Sequence, residues 1–129
     1  MILQGRRIMP GVASGEALVT KMGISFYGGI DPETGCVVEP GHELEGKCVA
    51  GRVLVFPTGK GSTVGSYTLY RLKKAGLAPV AVVNAECETI TAVGCIISDI
   101  PCVDKVQIDQ LVTGQSLMVD GDNGKVEVL

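Results

Sequence analysis

Gly51-Arg52-Val53-Leu54-Val55-Phe56-Pro57, the loop Thr58-Gly59-Lys60-Gly61 after it, and Pro79-Val80-Ala81-Val82-Val83 further on decide the fold class. From Val53 to Phe56 the first run is continuously apolar, and it ends at a proline, as expected of a strand buried on both faces. From Ser62 to Ala75, the apolar residues Val64, Tyr67, Leu69, Tyr70, Leu72 and Ala75 recur at roughly helical spacing. Lys73, Lys74 and Gly76 make a carboxy-terminal stop. The run at 79–83 is a second buried strand. Strand, glycine loop, helix and strand form a β-α-β unit, which crosses over right-handed into a parallel pair.

Shorter elements surround this unit. Residues 2–8 and 15–21 read as strands separated by the turn formers Pro10-Gly11-Val12-Ala13-Ser14-Gly15. Ile24-Ser25-Phe26-Tyr27 alternates briefly and runs into Gly28-Gly29-Ile30-Asp31-Pro32-Glu33-Thr34-Gly35, a loop rich in turn formers. The loop at 39–47 carries the only histidine, His42, which Glu43 and Glu45 mark as a surface residue. Glu88 to Ile97 predicts a short second helix with Ile90, Val93, Ile96 and Ile97 facing inward. Cys102-Val103 reads as a short edge strand, and 116–128 as a β-hairpin with a glycine-bearing loop. No repeat or linker interrupts the chain. Residues 1–129 are expected to form a single domain of the α/β class, with a mixed, strand-rich sheet.

Composition narrows the function classes. The formal net charge is −3, and no Lys/Arg cluster exceeds the pairs Arg6-Arg7 and Lys73-Lys74. Lacking a basic stripe or an aromatic stacking platform, the chain is not expected to bind nucleic acid. No apolar stretch reaches the ~18–20 residues that span a bilayer, and Met1 to Arg7 has no apolar core of a secretory signal. A cytoplasmic setting without membrane attachment is therefore expected. Five cysteines, an odd number with no Cys-x-x-Cys spacing, point to free thiols rather than a disulfide framework. One histidine and dispersed cysteines are poor material for a metal site, so no metal is expected on this chain.

The glycine loop is where ligands of open α/β sheets gather, between a strand end and a helix start. Gly59 and Gly61 allow close approach, and helix amides beginning near Ser62 favour an anionic group. The loop is not a Walker A motif, because Lys60 is followed by Gly61 and position 54 is Leu. Nor is it a Gly-x-Ser-x-Gly elbow, since Val64 stands at the second glycine position and His42 lies in an unrelated loop. By spacing alone, Ser62 reads first as a helix cap, and Asp31 and Glu33 read first as part of a solvated turn. Glu86, Glu88 and Thr89 follow a strand that ends at the same sheet edge as Ser62. They either line its cleft or cap the next helix.

Taken together, Ser25 to Gly35, Gly59-Lys60-Gly61-Ser62-Thr63-Val64-Gly65-Ser66, Ala85-Glu86-Cys87-Glu88-Thr89-Ile90, Ala92-Val93-Gly94 and Ile100-Pro101 resemble the small subunit of the aconitase X group along nearly the whole chain. The resemblance implies a swivelling β/β/α domain that docks on a large subunit in a heterodimer or higher assembly. That partner would carry an iron–sulfur cluster, of the [4Fe-4S] type, with no cofactor on this chain. It implies Ser62 as proton acceptor, with Gly59, Lys60, Gly61, Thr63, Gly29, Asp31 and Glu88 lining the cleft around a small anionic substrate. The reaction implied is dehydration of (R)-5-phosphomevalonate to trans-anhydromevalonate 5-phosphate, in the archaeal-type mevalonate pathway of isoprenoid biosynthesis. Hydroxyproline dehydratases share the architecture, and a non-enzymatic anion-binding module is a further alternative. The 117–128 tail also resembles the swivelling domain of phosphoenolpyruvate-using enzymes. Their phosphohistidine chemistry needs a histidine where this chain has Ser62, so the fold carries over and that function does not.

Overall fold

Val53–Phe56 form the strand β4, and its four buried side chains point alternately into two separate cores. Val53 and Val55 meet Ala81, Val83, Val103, Leu117, Val119 and Val126 on one face. Leu54 and Phe56 meet Leu69, Leu72, Cys95 and Ile100 on the other. Fully burying such side chains stabilises the fold by about 1.5–3 kcal/mol each, so one strand anchors both halves. The computed structural model describes residues 1–129.

β4 lies between two parallel neighbours, β3 (Val12–Val19) and β5 (Ala81–Asn84), and β5 pairs in parallel with β6 (Cys102–Asp104). The helix α2 (Gly65–Lys74) connects β4 to β5, and α3 (Thr89–Ser98) connects β5 to β6. The one-turn element α1 (Phe26–Gly29) precedes β4. β3 is long enough to serve two sheets. Its first five residues pair antiparallel with β7 (Ser116–Asp120), and its last three pair in parallel with β4. β7 turns back into β8 (Lys125–Val128), and β8 pairs with β1 (Ile2–Gln4). β2 (Arg6–Met9) pairs antiparallel with β6.

The strand order is β1-β8-β7-β3-β4-β5-β6-β2. β1 and β2 stand at opposite ends of that order, yet only Gly5 separates them. The sheet must therefore curl until its ends meet, enclosing the valine-rich core. Gly5 is the closure point. Its amide donates to Gly124 O at 2.7 Å, and any β-carbon would run into the Asp104 carbonyl. Arg6 grips the Asp104 carboxylate with two bonds, Nε to Oδ1 at 2.9 Å and Nη2 to Oδ2 at 2.8 Å. Closure protects strand edges that would otherwise offer open hydrogen-bonding groups.

The β-α-β centre and the terminal hairpin match the sequence expectation, and the class is α/β with a mixed sheet. Several local expectations are corrected. Residues 2–8 are two strands, because closure needs the break at Gly5. The turn expected over 10–15 shrinks to Pro10-Gly11, with Gly11 at φ 119°; pairing with β7 carries Val12–Glu16 into β3. Cys102–Asp104 is an interior strand, since β2 covers it. The alternating stretch at 24–27 gives one bridge at Ile24 and the short turn α1.

His42 is buried, not a surface residue: Nδ1 accepts from Leu44 N–H and Nε2 lies 3.0 Å from Gly23 O. Through these two contacts the imidazole pins one loop to another. Cys36 and Cys48 are joined as a disulfide, which corrects the expectation of five free thiols; Cys87, Cys95 and Cys102 are free. The two bonded cysteines face each other across an antiparallel bridge that no spacing announces.

Candidate active-site loop

The parallel strands β3, β4 and β5 all end on one side, and the loop after each contributes to a single ledge. Ile24 N–H donates to Thr58 O and Lys60 N–H donates to Ile24 O, lacing the loop after β3 to the loop after β4. Ala85 and Glu86 both donate to Pro57 O, which ties in the loop after β5. Ligand sites of α/β sheets form at such strand ends.

Ser62 stands exposed on this ledge. It is not the helix cap: α2 begins at Gly65, and its first flanking residue, Val64, has no side-chain cap. The Ser62 hydroxyl instead accepts from Val64 N–H at 3.2 Å, while the Ser62 carbonyl accepts from Gly65 N–H at 2.9 Å. The two bonds make a tight turn leading into the helix and fix the serine backbone. The backbone amides of Gly61, Ser62 and Thr63 donate to no acceptor within the chain. Three open donors beside a helix amino terminus suit an anionic group.

Both glycines of the loop are sterically required. Gly61 has φ +92°, a region that disfavours side chains, and a β-carbon there would lie 2.5 Å from Ser25 Oγ. At Gly59 a β-carbon would overlap Glu88 Oε1 and Thr91 Oγ1. Glu88 itself caps α3, its carboxylate accepting from Ile90 N–H at 2.6 Å and Thr91 N–H at 2.7 Å. Of the two roles open in the sequence, the geometry gives it the cap. It touches the loop through Gly59.

Lys60 Nζ pairs with Glu39 Oε2 at 3.0 Å. Its charge is therefore shared with a carboxylate and not held free for Ser62. Thr63 lines a groove of about 270 Å³ between α2 and α3. Asp31 lines a larger one of about 640 Å³, with Tyr27, Val64, Tyr67 and Arg71 on its walls. Gly29 lines neither groove; it is buried between Gly28 and Ile30, and its carbonyl accepts from Val38 N–H at 2.8 Å. Asp31 Oδ1 accepts from Glu33 N–H at 2.9 Å, the bond of an ordinary Asx turn. The expected residues thus form two groups: 59–63 with Glu88 on the ledge, and Asp31 in the adjoining groove.

Ser25 and Glu39 take part without having been singled out in the sequence. Ser25 packs against Gly61 and donates to Tyr27 O at 2.8 Å. Glu39 lies 21 residues from the lysine it neutralises, a separation that leaves no trace in spacing.

No group of three or more His, Cys, Asp or Glu side chains is placed to hold a metal ion. Cys87 Sγ lies 4.0 Å from Cys102 Sγ, and that thiol together with burial pushes the Cys87 thiol well above its ordinary range. No helix is long and apolar enough to cross a membrane.

The sequence family described as aconitase X swivel domain matches residues 2–128. The chain is 53% identical over 129 residues to the phosphomevalonate dehydratase small subunit of Thermococcus kodakarensis, covering all of this chain and 97% of that one. It is 52% identical over 130 residues to the subunit of the same name from Methanosarcina acetivorans, covering 98% of this chain and 90% of that one. Its fold is similar to the crystal structure of Thermococcus kodakaraensis aconitase X in its holo-form, with TM-score 0.98 and 52% identity over 100% of this chain and 98% of the other. With end-to-end sequence agreement and the same fold, the chain belongs to the aconitase X swivel-domain family.

Proposed function

We propose that this chain is the small subunit of a phosphomevalonate dehydratase, a hydro-lyase active only with its large subunit, and that Ser62 is the base. The observation that carries the reading is the exposed Ser62 on its fixed ledge, in a chain alike along its length to relatives of that name. Dehydration needs a base for the proton beside the carboxylate and help for the departing hydroxyl. A neutral serine is a weak base, so the Ser62 oxygen must carry negative charge or relay the proton. The neighbouring helix start and the open amides of 61–63 favour that charge. The same amides suit an anionic substrate such as phosphomevalonate.

Glu88 and Gly59 support the loop, and Lys60, Gly61 and Thr63 shape the approach to Ser62. Gly29 and Asp31 belong to the adjoining loop that the substrate or the partner passes. An iron–sulfur cluster held by the large subunit would supply the Lewis acidity that helps a hydroxyl leave.

The test is a phosphomevalonate assay of the anaerobically reconstituted pair. Ser62→Ala is expected to lower turnover by roughly 10²–10⁴-fold, the usual contribution of a positioned base, with assembly and melting temperature unchanged. Full activity in Ser62→Ala would remove the assignment of the base. A wild-type pair that assembles yet leaves phosphomevalonate untouched would remove the substrate.

A further inference from the structure

We infer that the outer face of α2 and α3, with Tyr27 at its margin, is the seat of the large subunit, and that the partner's matching surface is apolar with carboxylates along one edge. This inference rests on the proposed function for the existence of that partner. Its location comes from four observations on the chain itself.

α3 carries no charged residue from Thr89 to Ser98, although Val93, Ile96 and Ile97 are 41%, 52% and 42% exposed. A helix that faces water permanently carries a polar stripe on its outer side. Beside it, Val64 just before α2 and Tyr67 within it are exposed, the latter 70% exposed. The two helices are locked together, Gly65 and Gly94 letting them approach and Ser66 Oγ donating to Ile90 O at 2.6 Å. These side chains therefore form one rigid apolar surface, the kind that marks an interaction site.

The Ser62 loop lies within this surface. Thr63 lines the groove between α2 and α3, and Val64 lines the groove between α2 and the 27–38 loop. A partner bringing the reacting centre to Ser62 has to pass over both. Covering them also excludes water from the base, which strengthens every charge interaction there.

Charge identifies the edge. The last turn of α2 carries Arg71, Lys73 and Lys74 with no acidic residue on the helix, and none of the three forms an ion pair. This cationic edge stands on a chain of net charge −3. Carboxylates on the partner would match it, steering association without adding much affinity.

The experiment measures binding kinetics of purified small-subunit variants to the intact large subunit, together with melting of each free variant. Ile97→Glu and Tyr67→Ser are expected to weaken binding by about tenfold to a hundredfold, as for residues inside a hot spot, with free-subunit melting unchanged. Val12→Glu, on β3 and outside both grooves, should bind as wild type. Arg71→Glu should slow association at low salt and flatten its salt dependence. Wild-type binding by both Ile97→Glu and Tyr67→Ser would overturn the inference, as would loss of binding in Val12→Glu alone. Light scattering supplies a third outcome: if the face variants abolish a self-dimer but keep the large subunit, the face belongs to a second copy and the inference falls. A pair that binds through this face yet does not dehydrate phosphomevalonate would leave the seat standing and remove only the proposed reaction.

Discussion

The closed strand half and the helical half of this molecule are built from the same kinds of residue and treat them in opposite ways. In the strand half, Val53, Val55, Val83, Val103, Val119 and Val126 are all fully buried, inside a sheet whose ends meet at Gly5. In the helical half, Val64, Tyr67, Val93, Ile96 and Ile97 stand in solvent, while Leu69, Leu72 and Cys95 face the sheet. A sheet that closes on itself satisfies its edges and its core without help. A helical layer one helix thick has an outer face that only another molecule can cover. Both halves thus hold a buried core, but only the helical half leaves an apolar face uncovered, and the Ser62 ledge lies along the seam.

Phe56 tests the seam most severely. It is fully buried, ends β4 directly before the loop of Ser62, and meets Phe26 edge to face at a centroid distance of 6.0 Å. Phe56→Ala is expected to cost about 3–5 kcal/mol, from the lost transfer energy and the cavity left behind. Chemical denaturation of the free subunit measures it. A loss below about 1 kcal/mol would mean that the helical half is not anchored through this side chain, since large losses are the mark of unrelaxed core cavities.

The closure of the strand half is tested through pH. Burial raises the pKa of Asp104, but the Arg6 hydrogen bonds and charge and the Cys87 amide outweigh it and hold the carboxyl below its ordinary range. A carboxyl whose folded pKa is lowered stabilises the fold above its unfolded pKa of about 3.9. That contribution is lost as pH falls through the folded value. Arg6→Met is expected to lower the denaturation midpoint at neutral pH and to flatten the decline below about pH 4 that this linkage produces. An unchanged acid limb in Arg6→Met would show that the clamp on β6 does not depend on Arg6.

The same contrast explains what the sequence disclosed. The β-α-β centre was legible because apolar runs at 53–56 and 81–83 have strand length and glycine or proline ends. The curl was not, because it depends on β1 pairing with β8 across the whole chain, and pairing at that distance leaves no local pattern. The exposed helical face was misread for a more instructive reason. Val93, Ile96 and Ile97 have the periodicity of a core-facing stripe, and periodicity reports that a side chain avoids water, not which molecule shields it. At the site, Ser62 and both glycines were readable from the loop, whereas Ser25 and Glu39 reach it through folds of the chain that no spacing records. Ser62 as the cap of α2 was a reasonable reading of residue type, displaced because the helix starts three residues later.

Glu88 offers the mildest intervention at the seam, because its two roles predict different readouts. As the cap of α3 it satisfies two amides that would otherwise be unpaired, and Glu88→Ala should cost about 1 kcal/mol of stability. As the wall behind Gly59 it also limits how far the Ser62 loop can recede. If capping were its whole contribution, Glu88→Ala would lower the melting temperature slightly and leave turnover of the assembled pair intact at 25 °C. If it positions the loop, kcat should fall by more than the stability loss explains, with KM little changed, and Glu88→Gln, which keeps an oxygen acceptor for the amides and nearly the same volume, should restore most of it. Equal kcat in all three forms would confine Glu88 to the helix. It would also mean that the hydrogen bonds to Ile24 and Pro57 hold the ledge by themselves.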